Sequence, residues 1–218
     1  MTWAALTSGG KDSILALQKA LDAGMDVSYM VTVVPDNPDS YMFHSANLAA
    51  VPVIAERCDL TYVGIPTNGE KEAELLDLEN GLRSLPIEGV IVGAIESEYQ
   101  RSRVAALCDR LGLAMCAPLW HMDPLVLLHE VAERMDGRIV VPAVDGLEKN
   151  VLGKLIDADL SDLLCHISAR RRINIAGEGG EYESLTLAAP CFSSPVECEG
   201  WSVAFSCGRG IAAIERFW

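Results

Sequence analysis

Short apolar runs alternate with amphipathic stretches through the first two-thirds of the chain. Trp3–Thr7, Val27–Val34, Thr61–Ile65, Gly89–Ala94 and Ala114–Ala117 read as buried strands. The segments between them carry helical periodicity, and this alternation predicts a parallel sheet covered by helices. Two of the helices are well punctuated. Ile14, Leu17 and Leu21 share one face, and Gly24 stops that helix. Ser97-x-x-Gln100 resembles a capping box, followed by Val104, Leu107 and Leu111 on one face and a terminal Gly112.

The pattern changes near Trp120. Asp123-Pro124 predicts an N-cap with proline at the first helical position, opening a helix that runs toward Gly137. Arg138–Val144 is a further strand, and Ala158–Ala169 is a helix with Leu160, Leu163, Leu164 and Ile167 as its stripe. Glycines crowd positions 177–180, after which Ser184–Leu187, Val196–Phe205 and Ile211–Phe217 are strand-like. A boundary falls near residue 120, with a main domain over 1–120 and a subdomain over 121–218. No linker composition or internal repeat separates them, so the two parts are expected to pack together. The expected class is α/β, a parallel sheet with helices on both faces, plus a smaller C-terminal α+β subdomain.

Composition adds exclusions. The 218 residues are 50% hydrophobic and 22% charged, which supports a substantial core and not disorder. The formal charge is −14, and Arg170-Arg171-Arg172 is the only tight basic cluster, so extended nucleic-acid binding is not expected. No apolar stretch reaches the length of a membrane span. The N-terminus lacks a basic leader and enters a glycine loop almost at once, which argues against a signal peptide and for the cytoplasm. The 7 cysteines form no C-x-x-C pair, and they read as small buried hydrophobes in a reducing compartment.

Thr7-Ser8-Gly9-Gly10-Lys11-Asp12-Ser13 joins the first strand to the first helix. An open α/β sheet exposes backbone N–H groups at such a junction. The glycines let the main chain approach an anion, and Lys11 with the hydroxyls of Ser8 and Ser13 adds donors. The helix dipole supplies only about 0.3–1 kcal/mol, so the N–H groups and Lys11 must carry most of the binding. Neither the Walker nor the Rossmann spacing is present. Asp12 beside phosphates implies a bridging Mg²⁺ ion, or else an N-cap; residue type alone leaves both open.

Ser-Gly-Gly-x-Asp-Ser after a first strand resembles the PP-loop of the N-type ATP pyrophosphatases. The resemblance implies a loop that holds the β and γ phosphates of ATP, leaving the α phosphate to a substrate nucleophile, with pyrophosphate released.

Further segments narrow the resemblance. Gly93-Ala94-Ile95-Glu96-Ser97-Glu98-Tyr99-Gln100-x-x-Arg103-Val104 leads to Pro118-Leu119-Trp120. Leu152-Gly153-x-x-Ile156-Asp157 precedes Asn174-x-Ala176-Gly177-Glu178-Gly179-Gly180-Glu181-Tyr182-Glu183-Ser184. In this order, over residues 2 to about 190, these motifs resemble the diphthine–ammonia ligase family, whose signature commonly reads G-E-G-G-E-F-E-T. Tyr182 and Ser184 keep the ring and the hydroxyl of that signature. His44-Ser45-Ala46-Asn47 is similar to the family's H-T-x-N loop, and that likeness alone makes His44 and Asn47 candidate substrate contacts.

Without the family, Gly177, Gly179 and Gly180 permit a tight loop whose backbone approaches a ligand. Glu181 and Glu183, if strand-like, share a face, where they could attract ammonium, bind a metal or accept a proton. The alternative is an acidic, solvated turn. Gln100 is equally a capping partner of Ser97, Tyr99 a packed aromatic and Arg103 a solvated helix residue. Their place after a strand borders the crevice where open sheets bind ligands, and it adds Glu96 to the candidate substrate contacts. His121, His129 and His166 lack metal-ligand spacing.

The resemblance implies an ATP-dependent ligase that adenylates a carboxylate, that of diphthine on elongation factor 2, and amidates it with ammonia drawn from solution. Asp12, Glu178, Glu181 and Glu183 are its expected catalytic residues. Two rivals are a tRNA-thiolating PP-loop enzyme, which would want catalytic cysteines and a basic surface, and a nucleotide-sensing protein without turnover. The motifs also suggest a division of labour, with Asp12 serving adenylation and Glu181 serving ammonia attack. On that view Glu181→Gln spares pyrophosphate exchange, and Asp12→Asn costs little stability.

Overall fold

A computed structural model describes residues 2–35, 47–68, 73–144, 147, 149–171, 173–206 and 209–218. Five parallel strands form the main sheet: β1 (Thr2–Leu6), β2 (Val27–Pro35), β3 (Thr61–Thr67), β4 (Ile87–Ile91) and β5 (Ala114–Cys116), in the order β3-β2-β1-β4-β5. Helices α1 (Lys11–Asp22), α2 (Ala50–Arg57), α3 (Ala73–Arg83) and α4 (Glu98–Leu111) connect them. Successive strand residues point to opposite faces, and the two cores divide accordingly. Ala5, Met30 and Ile91 join the cluster under α1 and α2, whereas Ala4, Val31 and Val90 join the one under α3 and α4. Helices therefore cover both faces, as the alternation predicts.

The punctuation behaves locally as its chemistry dictates. Ser97 Oγ accepts the Gln100 N–H at 3.3 Å, and the helix it opens ends at Gly112. Asp123 caps α5 (Pro124–Arg134) by accepting the N–H groups of Leu125 and Val126. That helix stops short of Gly137 because Met135 is already extended.

In the C-terminal part β6 (Asp136–Pro142) pairs antiparallel with β7 (Tyr182–Ala188), and α6 (Ala158–Arg171) lies between them in the chain. Two expected strands are each divided. Val196–Phe205 becomes β8 (Cys198–Glu199) and β9 (Ser202–Ser206), because Gly200 turns the chain at φ 76°. Ile211–Phe217 becomes β10 (Arg209–Ala213) and β11 (Arg216–Phe217), which pair with β9 and β8 in turn. Leu127, Leu164, Leu185 and Ala212 share one core with Ile14 and Leu17 of α1. The C-terminal part thus packs on the helix that follows the phosphate loop. Among the described residues no helix is long and apolar enough to cross a membrane.

Candidate functional site

Chain order reverses across β1, whose neighbours are β2 and β4. Crevices at such a switch point open at the carboxyl ends of the strands. The loop after β1 and the loop after β4 meet there. Gly9 takes φ 79°, and an added Cβ would lie 3.2 Å from Ile54 Cδ1, so glycine suits both the turn and its packing. Gly9 N–H donates to Thr7 Oγ1 at 2.8 Å, and the Thr7 and Ser13 hydroxyls hydrogen-bond at 2.6 Å. The start of α1 is thereby folded back on the strand end.

β7 completes this loop. Thr186 N–H donates to the Gly9 carbonyl at 2.9 Å, and Lys11 N–H donates to Ser184 Oγ at 3.1 Å. Close approach on the other side depends on Gly93. A Cβ there would stand 2.8 Å from the Asp12 carbonyl carbon and from the Ser13 nitrogen, which are backbone atoms that cannot swing away. Gly93→Ala should therefore destabilise the fold by about 1–3 kcal/mol, read as a lower urea midpoint at unchanged slope. An unchanged midpoint would show that β4 and α1 can separate freely.

Lys11 does not reach into open space. It is 2% exposed, and its Nζ donates to Asp12 Oδ2 at 2.9 Å and to the Ala176 carbonyl, 4.8 Å from the centre of the Tyr182 ring. Burial disfavours its charge, but the carboxylates of Asp12 and, more weakly, Glu178 offset this and hold the ammonium above lysine's ordinary pKa. Burial also pushes the Tyr182 phenol up to about 12, so it stays neutral, donating to the Ile175 carbonyl at 2.8 Å. Lys11 is thus a charged strut between the phosphate loop and the glycine-rich loop.

Two glutamates are likewise engaged with the backbone. Glu178 Oε1 accepts the N–H groups of Ile95, Glu96 and Ser97 at 3.0, 3.1 and 2.9 Å, tying the glycine-rich loop to the start of α4. Glu181 is 9% exposed, and its two oxygens accept Asn174 N–H and Gly179 N–H, each at 2.8 Å. Its side chain folds onto its own loop, so it does not share the face of Glu183 as strand alternation suggested.

The three loops enclose a cavity of about 490 Å³. From the phosphate loop Ser8, Gly10, Lys11, Asp12 and Ser13 line it, with Gly9 behind them. Tyr99 and Gln100 line it from α4, and Gly179, Gly180, Glu178 and Glu183 from the third segment. Arg103 instead stacks over the Tyr99 ring at 4.4 Å, outside the lining, and Glu96 is exposed with Oε2 3.5 Å from the Asn174 amide. Asn47 lies elsewhere: its amide donates to the Ala212 carbonyl at 2.9 Å and accepts Ile214 N–H at 3.0 Å, which clasps the C-terminal strands. His44 is outside the described residues.

Sequence reasoning passed over Arg101, Ser97 and Ser184, all of which line the cavity. Arg101 sits 4.7 Å over the Trp120 ring. Its signal was the helical face it shares with Gln100 and Val104, from which Arg103 is rotated away. An apolar wall from Val31, Val33, Val92 and Val104 adjoins the polar loops.

Two family models match the chain, that of the diphthamide synthase N-terminal domain over residues 1–115 and that of the C-terminal domain over 123–218. The chain is 34% identical to a diphthine–ammonia ligase of Danio rerio, over 88% of its own length and 84% of that protein's. It is 30% identical to the diphthine–ammonia ligase of Homo sapiens, over 98% and 89% of the two chains. A crystal structure described as a predicted subunit of tRNA methyltransferase from Methanocaldococcus jannaschii superposes with a TM-score of 0.50. At 15% identity, over 87% of this chain and 98% of that one, this is a likeness of fold.

Proposed function

The chain belongs to the diphthamide synthase family, a family of ligases, and from that membership we propose that it uses ATP to convert the carboxylate of diphthine on elongation factor 2 into an amide. The carboxylate oxygen attacks the α phosphorus, pyrophosphate leaves, and an acyl-adenylate forms. Ammonia then attacks the carbonyl carbon, AMP leaves, and the attacking nitrogen gives up a proton. The observation that carries this reading is the convergence of three segments, 7–13, 93–104 and 177–184, on one cavity. Each segment supplies a different chemistry, and only together do they suit a nucleotide and an acceptor.

Phosphates belong at the N-terminus of α1, where the Ser8 hydroxyl and the first turn from Gly10 to Ser13 line the cavity. The valine wall offers an apolar surface for the base. Asp12 lines the cavity with its side chain 26% exposed. Among the described residues no group of three His, Cys, Asp or Glu has metal-holding geometry. One carboxylate fits Mg²⁺ nonetheless, because that ion is usually bound through one or two carboxylates plus phosphate oxygens and water. It would screen the phosphate charge against Asp12. Lys11 and Glu178 position the loops, and Glu183, which lines the cavity beside Ser184, is the carboxylate we assign to draw in ammonium and take its proton.

The test is incubation with diphthine-bearing elongation factor 2, ATP, Mg²⁺ and ammonium, followed by mass analysis of the factor and of the nucleotide. AMP and pyrophosphate should appear in step with the amide, whereas ADP and phosphate as substrate-dependent products refute the scheme. Among the described residues no cysteine lines the cavity. Single replacement of each of the 7 cysteines by alanine or serine should therefore leave turnover measurable in every folded variant. A folded variant without turnover would instead favour sulfur-transfer chemistry.

A further inference from the structure

Cys58 caps the C-terminal end of α2, and Cys191 lies in the turn after β7, 133 positions later. No local spacing joins them, yet their sulfurs are 4.0 Å apart. The backbones beside them are already tied, because Ser193 N–H donates to the Arg57 carbonyl at 2.7 Å. Both thiols are half-buried, and neither lines the cavity.

We propose that Cys58 and Cys191 are a redox-active dithiol, which a low-molecular-weight disulfide of the glutathione class converts into a covalent clasp between α2 and the turn after β7. Cys191 is the attacking thiol. The Cys58 S–H donates to its sulfur and holds it below the ordinary thiol pKa against the effect of burial, while Cys58 itself is held above it. The Cys191 thiolate attacks one sulfur of the small disulfide, whose S–S bond breaks, and one small thiol leaves. Cys58, on losing its proton, attacks the Cys191 sulfur of the mixed disulfide, and the second small thiol leaves. The protein loses two electrons and two protons, and the small disulfide is reduced to two thiols. Closing the sulfurs from 4.0 Å to about 2.05 Å asks mainly for side-chain rotation, since the Ser193–Arg57 hydrogen bond already holds the backbones together.

The clasp would join the two elements that back the phosphate loop. Val51 and Ile54 of α2 and Leu185 of β7 all pack where a Cβ on Gly9 would point. A bond that closes so long a loop restricts chiefly the unfolded chain, so the melting temperature should rise by roughly 5–10 °C.

The experiment equilibrates the full chain with glutathione and glutathione disulfide and maps its peptides without reductant. A Cys58–Cys191 linked peptide should form, with loss of two of the 7 titratable thiols and full reversal by dithiothreitol. Cys58→Ser should accumulate glutathione on Cys191 as a mixed disulfide that cannot close, since its partner thiol is gone. The wild-type map does not need that variant to fold. Retention of all 7 thiols, a bond between other cysteines, or a mixed disulfide that never closes would overturn the proposal.

Discussion

Asp12→Asn should lower both pyrophosphate exchange and amide formation by about 10²–10⁴-fold, because the charge that would bind Mg²⁺ against the phosphates is lost. It should also destabilise the protein, contrary to what the loop sequence suggests. Asparagine keeps an oxygen for the Lys11 Nζ but leaves that ammonium, 2% exposed, without its nearest counter-charge. Removing one partner of a fully buried pair costs roughly 3–5 kcal/mol. With the Asp12 side chain 26% exposed, a loss of about 1–3 kcal/mol is expected here. Adding Lys11→Met to Asp12→Asn separates the two effects, since it removes the orphaned charge at similar side-chain volume. The double variant should recover most of the urea midpoint and none of the exchange. Recovery of exchange would place the role of Asp12 in folding and not in nucleotide chemistry.

Glu181→Gln should reduce exchange and amide formation together, by more than about tenfold, and lower stability by about 2–4 kcal/mol. Both carboxylate oxygens accept backbone N–H groups, from Asn174 and Gly179. A glutamine supplies one acceptor and one NH₂ group, so one of these donors must face another donor in a site 9% exposed. The glycine-rich loop then loses its shape, and with it the placement of Ala176 against Lys11 and of Glu178 against the start of α4. The division of labour expected from the motifs assigned Glu181 to ammonia attack with exchange spared. Labelled pyrophosphate exchange beside amide yield decides between the two. Intact exchange with lost amide formation, at an unchanged midpoint, would return Glu181 to the chemistry. Glu183→Gln is the variant now expected to spare exchange and lose amide formation.

These contrasting expectations mark where motif reading reaches its limit. The motif around Glu178, Glu181 and Glu183 contains three glutamates of the same type within six positions. Only the folded loop distinguishes Glu178, which grips the start of α4 at the cavity edge, Glu181, which grips its own turn, and Glu183, which lines the cavity. Arg101 and Arg103 present the same ambiguity on α4, settled by which one stacks on Trp120 and which on Tyr99.

Apolar runs alternating with capped helices determined the parallel sheet, because burial and hydrogen-bond closure act over short stretches of chain. The glycine pair after the first strand likewise announced a tight turn at the strand end, since φ freedom is a local property. What tertiary structure alone decided were contacts between distant segments. Lys11 is a buried strut because Ala176 and Tyr182 fold over it. Asn47 clasps Ala212 and Ile214 because β10 arrives beside it. Cys58 and Cys191 meet across 133 positions for the same reason. A side chain's type sets what it can bind, but desolvation and the partners brought to it by packing determine what it does bind.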